Sequence, residues 1–356
     1  MKQALVRAEA FCAAFGLRLP ILLAPMAGAC PPVLSAAVAN AGGLGACGAL
    51  LMQPQAIADW ATNFRAASNG GFQMNLWVPD PPPRRDEAQE AALRDFLGQW
   101  GPAVPPEAGN ATPPDFTAQC EAILAARPTA ISSMMGLFPE DFVARLKEAG
   151  IKWLATVTTV AEARAVAGAG ADALIAQGAE AGGHRGAFEA EAAERAAVGL
   201  FALLPAVCDA VDIPVIAAGG IADARTIAAA LLLGASAVQI GTGFLRTPEA
   251  GIAPAWADAL ATAQPEDTML TRAFSGRTGR GLATAYVRAA AAPEAPPPAL
   301  YPVQRGLTQA MRDAATRGND ISRMQAWAGQ SARLAPARSA AEVTAGWWDE
   351  ARALLG

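Results

Sequence analysis

The chain has 356 residues, 53% of them apolar and 17% charged, enough to bury a large core and to exclude a disordered protein. Its net charge of −5, with no basic cluster, argues against nucleic acid or an anionic membrane surface as partner. Five scattered cysteines (Cys12, Cys30, Cys47, Cys120, Cys208) and one histidine offer no zinc or disulfide framework, and they fit a reducing, cytoplasmic setting.

The N-terminal stretch carries Lys2, Arg7 and a small-residue Ala27-Gly28-Ala29, but Glu9 and Arg18 interrupt any secretory core. A first strand is expected over Ile21–Ala24, inside Pro20-Ile-Leu-Leu-Ala-Pro-Met-Ala-Gly28. Pro25 cannot continue a ladder and turns the chain out at the strand end. Met26 then projects a thioether, a soft surface for the face of a flat ring. A helix over Val33–Asn40 leads into Gly43-Leu-Gly-Ala-Cys-Gly48, which spells G-x-G-x-x-G. A dinucleotide fingerprint needs a strand before it and an acidic residue about 20 positions on. Here a helix precedes, and the nearest acid, Asp59, falls inside the next helix, Gln55–Ala67. The glycines read instead as a turn into a second strand, Leu44–Cys47.

A third strand, Phe72–Asn75, ends in an amide with both a donor and an acceptor. Residues 79–115 break the rhythm with Pro81-Pro-Pro83 and Pro113-Pro114 around a charged helical piece, Arg84–Trp100, and read as an insertion. Alternation then resumes: helix Phe116–Ala126, strand Ala130–Ser133, helix Glu140–Ala149, strand Trp153–Thr156, helix Ala161–Ala169, strand Ala173–Gln177. The segment Gln177-Gly-Ala-Glu-Ala-Gly-Gly-His-Arg-Gly186 follows and holds the sole histidine, His184. Glycines let backbone N–H groups approach a ligand, and an imidazole exchanges a proton near neutral pH. Helix Ala196–Val211, strand Val215–Ala218, helix Ala224–Leu233 and strand Ala237–Ile240 complete the series. The uncharged run from Thr226 to Leu245 has the length of a membrane span, but Gly234, Gly241 and Gly243 divide it into helix, turn and strand.

Strands apolar on both faces and alternating with helices imply a parallel sheet covered by helices. Eight such strands point to a (β/α)8 TIM barrel, with an open doubly wound sheet as the alternative. The barrel is expected over residues 1–245. Residues 246–356, with the proline cluster Pro293–Pro298 and Trp327, Trp347 and Trp348, read as a smaller, mostly helical region capping one barrel end. Barrel function lies in the loops after the strands, with phosphate after strands seven and eight. Ala218-Gly219-Gly220 and Gln239-Ile-Gly241-Thr242 stand there and form a phosphate cradle without lysine or arginine, to which the following helix N-terminus adds its dipole.

Pro25-Met-Ala-Gly28, Gly42-Gly-Leu-Gly45, Asn75, the His184 segment, Ala218-Gly-Gly-Ile221, Gln239-x-Gly-Thr-x-Phe244, Tyr301-Pro302 and Trp327-Ala-Gly-Gln330 together resemble the nitronate monooxygenase family. The resemblance implies a TIM-barrel FMN enzyme that oxidises alkyl nitronates, or nitroalkanes, with O₂ to a carbonyl compound and nitrite. It places Ala24, Pro25, Met26, Asn75, Gln177, Gly182, Gly183, Gly219, Gly220, Gln239, Gly241 and Thr242 at FMN, and His184 at the substrate. Met134 and Tyr301 are expected on the substrate side. Two departures mark the pocket. Many relatives carry a histidine at the end of strand four, where this chain has Ser132-Ser-Met-Met-Gly136. Relatives tend to place tyrosines and a lysine after the Tyr-Pro, where this chain has Arg305-Gly306 and Gln309.

Two other readings stand beside this one. The same flavin barrel could serve as an NAD(P)H-dependent reductase of a quinone or enoyl thioester, or a barrel without flavin could bind a phosphate-bearing metabolite. The expected partners are a small-molecule substrate and O₂, with no nucleic acid, membrane or metal. A homodimer is compatible with the sequence, which does not set the oligomeric state.

Overall fold

The computed structural model describes residues 2–356. Eight parallel strands lie side by side: Ile21–Leu23, Gly45–Gly48, Phe72–Trp77, Ala130–Met134, Lys152–Val157, Ala173–Gln177, Val215–Ala218 and Ala237–Ile240. The first pairs with the eighth, and a parallel bridge from Leu22 to Leu44 joins it to the second, so the sheet closes. The architecture is the (β/α)8 TIM barrel expected from the alternation. The open-sheet alternative fails on that closure.

Side chains alternate across each strand, and the two sets here differ in chemistry. Outward residues such as Leu23, Met74, Ile131, Trp153 and Val238 pack against the helices in the main core. The inward set gathers Leu22, Leu44, Ala130, Leu154, Ile175 and Ile216 in a second cluster inside the barrel. Phe11 and Phe15 join that cluster from the N-terminal helix Lys2–Phe15, their rings stacked 4.4 Å apart. This helix therefore plugs the end of the barrel where the strands begin. Nearer the strand ends the buried polar residues appear: Asn75, Ser132, Thr156, Gln177 and Gln239. The barrel is thus sealed and apolar at one end, and polar at the other.

The helix breaks fall where the chemistry puts them. Asp115 caps Phe116–Ala126, Thr159 and Glu162 form a capping box on Val160–Gly168, and Asp223 with Thr226 does the same on Ala224–Leu232. The run from Thr226 to Leu245 is helix, a turn at Gly234 and the eighth strand, and among the described residues no helix is long and apolar enough to cross a membrane.

The C-terminal third divides. The last helix, Ala340–Leu355, buries Val343, Trp347, Trp348 and Ala351 in the main core and packs on Pro32–Ala41 and Ala224–Leu232. It belongs to the outer ring of the barrel, where the sequence reading had placed it in the cap. Apolar spacing along a helix fixes that a face is buried, not against which neighbour. The intervening residues do lie over the strand ends. They include helices Pro254–Thr262 and Gln309–Arg317 and an antiparallel hairpin, Thr268–Thr271 with Gly279–Leu282. The insertion helix Glu87–Gly98 joins them through Leu93 and Leu97, which pack with Phe274, Tyr286 and Leu307. Arg277 and Asp80 pair across the same junction.

Candidate active site

One cavity of about 420 Å³ opens at the polar end of the barrel, under the hairpin and the cap. It brings together all the residues singled out from sequence: Ala24, Pro25 and Met26 after strand one, Asn75 on strand three, Met134 on strand four, Gln177 on strand six, and Gly182, Gly183 and His184 just beyond. Gly219, Gly220, Gln239, Gly241, Thr242 and Tyr301 line it as well.

The two turns after strands seven and eight present unengaged donors. Gly219 and Gly220 take positive φ (109° and 70°), conformations that favour glycine. Among the described residues, the N–H groups of Gly219, Gly220 and Gly241 meet no backbone acceptor. The hydroxyl oxygen of Thr242 accepts from Gly329 N–H at 2.9 Å, which leaves its own proton to donate. The helix expected to add its N-terminus to this cradle closes on itself. Asp223 accepts from Thr226 N–H, and Thr226 Oγ1 accepts from the N–H groups of Ala222 and Asp223. The cradle is made by the turns alone.

The amides divide their work unevenly. Asn75 Nδ2 donates to the backbone oxygen and hydroxyl of Ser132, each at 3.0 Å, so its Oδ1 is the free atom. Gln239 Oε1 accepts from Gln73 Nε2 at 2.8 Å, so its Nε2 is free. Gln177 is shared between the glycine loop and the cavity. Its Nε2 donates to His184 O at 2.9 Å and its Oε1 accepts from Gly186 N–H at 2.8 Å, with Arg185 Nη1 at 3.3 Å. Its amide folds the glycine loop back on the strand and keeps one Nε2 proton free at the cavity.

His184 is held in place by backbone and by rings. Gly183 and His184 pair as a short edge strand with Arg280 and Gly279 of the hairpin. The indoles of Trp77 and Trp327 stand edge-on to the imidazole, with centroids 4.6 and 4.8 Å away. Its Nε2 lies 2.8 Å from Ser275 Oγ. Burial, and then the positive charges of Arg305, Arg277 and Arg312, push its pKa down to about 3. The ring is neutral at physiological pH. Burial likewise raises the Tyr301 phenol above its ordinary value.

Several cavity residues carry no sequence signal of their own. Ser275 and Trp256 reach the cavity only through the folding of the cap. Trp256 Nε1 is buried without a partner and is a free donor at the wall. Trp327 sits within the Trp327–Gln330 motif, yet only the fold shows it and Trp77 flanking His184.

A family model described as nitronate monooxygenase matches residues 9–346. A nitronate monooxygenase of Paraburkholderia phytofirmans is 38% identical over 93% of this chain and 91% of its own length. One of Pseudomonas aeruginosa is 40% identical over 94% and 97%. Among solved structures, a nitroalkane oxidase from Streptomyces ansochromogenes matches with a TM-score of 0.88 at 37% identity, covering 98% of this chain and 100% of that one. FabK from Thermotoga maritima matches with a TM-score of 0.77 at 29% identity, over 97% and 96%. The protein is thus an enzyme of the TIM-barrel class, an oxidoreductase. Within that class the chain belongs to the nitronate monooxygenase family.

Proposed function

We propose that the protein is an FMN-dependent nitronate monooxygenase that oxidises alkyl nitronates with O₂ to a carbonyl compound and nitrite. One observation carries the reading: unengaged N–H groups at Gly219, Gly220 and Gly241, with the Thr242 hydroxyl, share a single cavity with a neutral, enclosed imidazole. Such donors suit a phosphate monoester. Asn75 Oδ1 and Gln239 Nε2 offer one acceptor and one donor, a set that suits the alternating edge of a flavin pyrimidine. FMN, when bound, supplies the redox chemistry between the nitronate and dioxygen.

The chain's own residues set which form of the substrate enters. A base with a pKa of about 3 takes a proton from carbon poorly near neutral pH. Burial, with the nearby arginines, holds His184 neutral, and those arginines favour a ligand that already carries negative charge. The preformed nitronate, not the neutral nitroalkane, is therefore the preferred substrate. Trp77 and Trp327 fix the ring in place and keep water from its edges, and Ser275 holds its Nε2.

The test is a visible spectrum of the purified protein followed by oxygen uptake with short alkyl nitronates. A yellow enzyme consuming O₂ and releasing nitrite agrees with the reading; a colourless protein that takes up no FMN refutes it. A second reading, an NAD(P)H-dependent flavin reductase, rests on Met134, whose thioether lines the cavity where relatives tend to place an imidazole. Anaerobic mixing with NADH separates the two: rapid bleaching of the flavin favours the reductase.

A further inference from the structure

Behind the amides that face the cavity lies one that does not. Gln73 and Asn75 stand two residues apart on the third strand and share its inner face, but only Asn75 lines the cavity. Gln73 sits deeper in the barrel, wholly buried. Its Nε2 donates twice: to the backbone oxygen of Leu23 on the first strand at 3.0 Å, and to Gln239 Oε1 on the eighth at 2.8 Å. Among the described residues, its own Oε1 has no partner.

These contacts leave the two amides no choice of direction. A backbone oxygen only accepts, so the group that Gln73 turns to Leu23 must be its NH2. Turned over, Gln73 would set Oε1 against the Leu23 oxygen, acceptor against acceptor. With one Nε2 proton on Leu23, the other points at Gln239 and must meet an oxygen there. Gln239 therefore turns Oε1 inward and Nε2 out to the cavity, where Nε2 meets no protein acceptor among the described residues. The unpaired Oε1 shows which side of Gln73 governs: a buried acceptor is left alone while both donors are used. A fixed carbonyl on the first strand thus sets, through Gln73, the polarity of a side chain on the cavity wall.

We propose that Gln73 is a positioning residue that holds Gln239 as a hydrogen-bond donor toward the flavin. The inference rests on the FMN reading of the cavity. Without Gln73, the Gln239 amide is free to take either orientation, and only the fraction that presents Nε2 is competent to bind. A donor at the pyrimidine edge also draws electron density from the ring and favours the reduced flavin, so its loss lowers the midpoint potential.

The test is a double-mutant cycle read by FMN binding and by potential rather than by turnover. Gln73→Met keeps the length of the side chain, removes both donated bonds and removes the unpaired acceptor too. Fluorescence titration of the deflavinated protein is expected to show the Kd for FMN raised about three-fold or more, with a lower midpoint potential in the loaded protein. Gln239→Met, which removes the donor itself, is expected to raise Kd about five-fold or more and to lower the potential further. In the Gln239→Met background, Gln73→Met is expected to change Kd by less than about two-fold and to leave the potential where it is. Gln73→Leu repeats the cycle should methionine disturb the fold, with thermal unfolding as the check. Unchanged Kd and potential in the Gln73 variants overturn the proposal. So do losses of the same size with and without the Gln239 amide, which would make Gln73 a packing residue. A wild type that takes up no FMN instead sinks the flavin reading, and the inference falls with it.

Discussion

His184 Nε2 stands 2.8 Å from Ser275 Oγ, and that hydroxyl also lies 3.1 Å from the carbonyl of Arg277, to which it donates. A serine hydroxyl has one proton. With that proton on Arg277 O, the hydrogen between Ser275 and His184 belongs to the imidazole, so Nδ1 is the ring's basic nitrogen. Ser275→Ala removes the acceptor and lets the two tautomers mix. One neutral hydrogen bond of about 1 kcal/mol corresponds to a several-fold loss in kcat/KM. His184→Asn removes the ring itself and is expected to cost more, at least about ten-fold, while the flavin stays bound. Steady-state oxygen uptake and the visible spectrum of both variants check this; full activity in the asparagine variant would remove His184 from the mechanism.

The depressed pKa of His184 has a consequence for stability. The ordinary imidazole value of 6.5 falls to about 3 in the folded chain. Above 6.5 the ring is neutral in both states. Between 6.5 and 3 the unfolded chain takes up a proton that the folded chain refuses, so stability falls as pH drops through that window and this contribution levels off below it. His184→Asn is expected to flatten this part of the curve. Urea unfolding midpoints measured on either side of pH 6.5, for wild type and variant, give the answer. Activity on a nitronate is also expected to show no acid limb from this group near 6.5.

The cradle can be tested apart from turnover. Thr242→Val keeps the shape of the side chain and removes the hydroxyl whose proton is free. A hydrogen bond to a charged phosphate contributes about 1.5–3 kcal/mol, so the Kd for FMN is expected to rise about ten-fold or more. Gly220→Ala places a Cβ at a φ of 70°, which costs about 1–2 kcal/mol, with Glu180 Cβ 3.5 Å away. It is expected to lower both stability and FMN affinity. Fluorescence titration of the deflavinated protein with FMN, beside thermal unfolding, separates the two effects. Unchanged affinity in Thr242→Val would place the phosphate elsewhere.

What the sequence made legible follows from where the information is local. The strands that end in Gln177, Ala218 and Ile240 were read to the residue, because apolar runs bounded by glycine turns leave little freedom. The helix Lys2–Phe15 was not read at all. Its cores Phe11 and Phe15 meet strands whose side chains lie far along the chain, and nothing near them signals a barrel plug. The cradle glycines were visible since their spacing matches adjacent strand ends. The second task of Gln177, holding Gly186 and His184, was not legible, because an amide at a strand end looks the same whether or not it also ties down a loop. Ser275 and Trp256 were invisible as site residues since only the folding of the cap carries them to the barrel mouth.

Gly182 ties these parts together and gives a sharp contrast with its neighbour. A Cβ at Gly182 would lie 2.5 Å from Gly329 N, 2.7 Å from Ala328 C and 2.9 Å from Thr242 Oγ1. Two of these are backbone atoms, which cannot swing aside as a side-chain end can. Gly182→Ala must therefore push the segment 327–330 outward. Gly329 N–H then leaves Thr242, and Trp327 leaves the edge of His184. Gly183 has a φ of 76° but open space where its Cβ would go. Gly183→Ala is expected to cost about 1–2 kcal/mol of backbone strain and to leave FMN affinity nearly unchanged. Gly182→Ala is expected to lower the melting temperature, FMN affinity and turnover together. If the two variants behave alike in FMN titration and thermal unfolding, the contact between the glycine loop and the Trp327–Gln330 segment is not what orients Thr242.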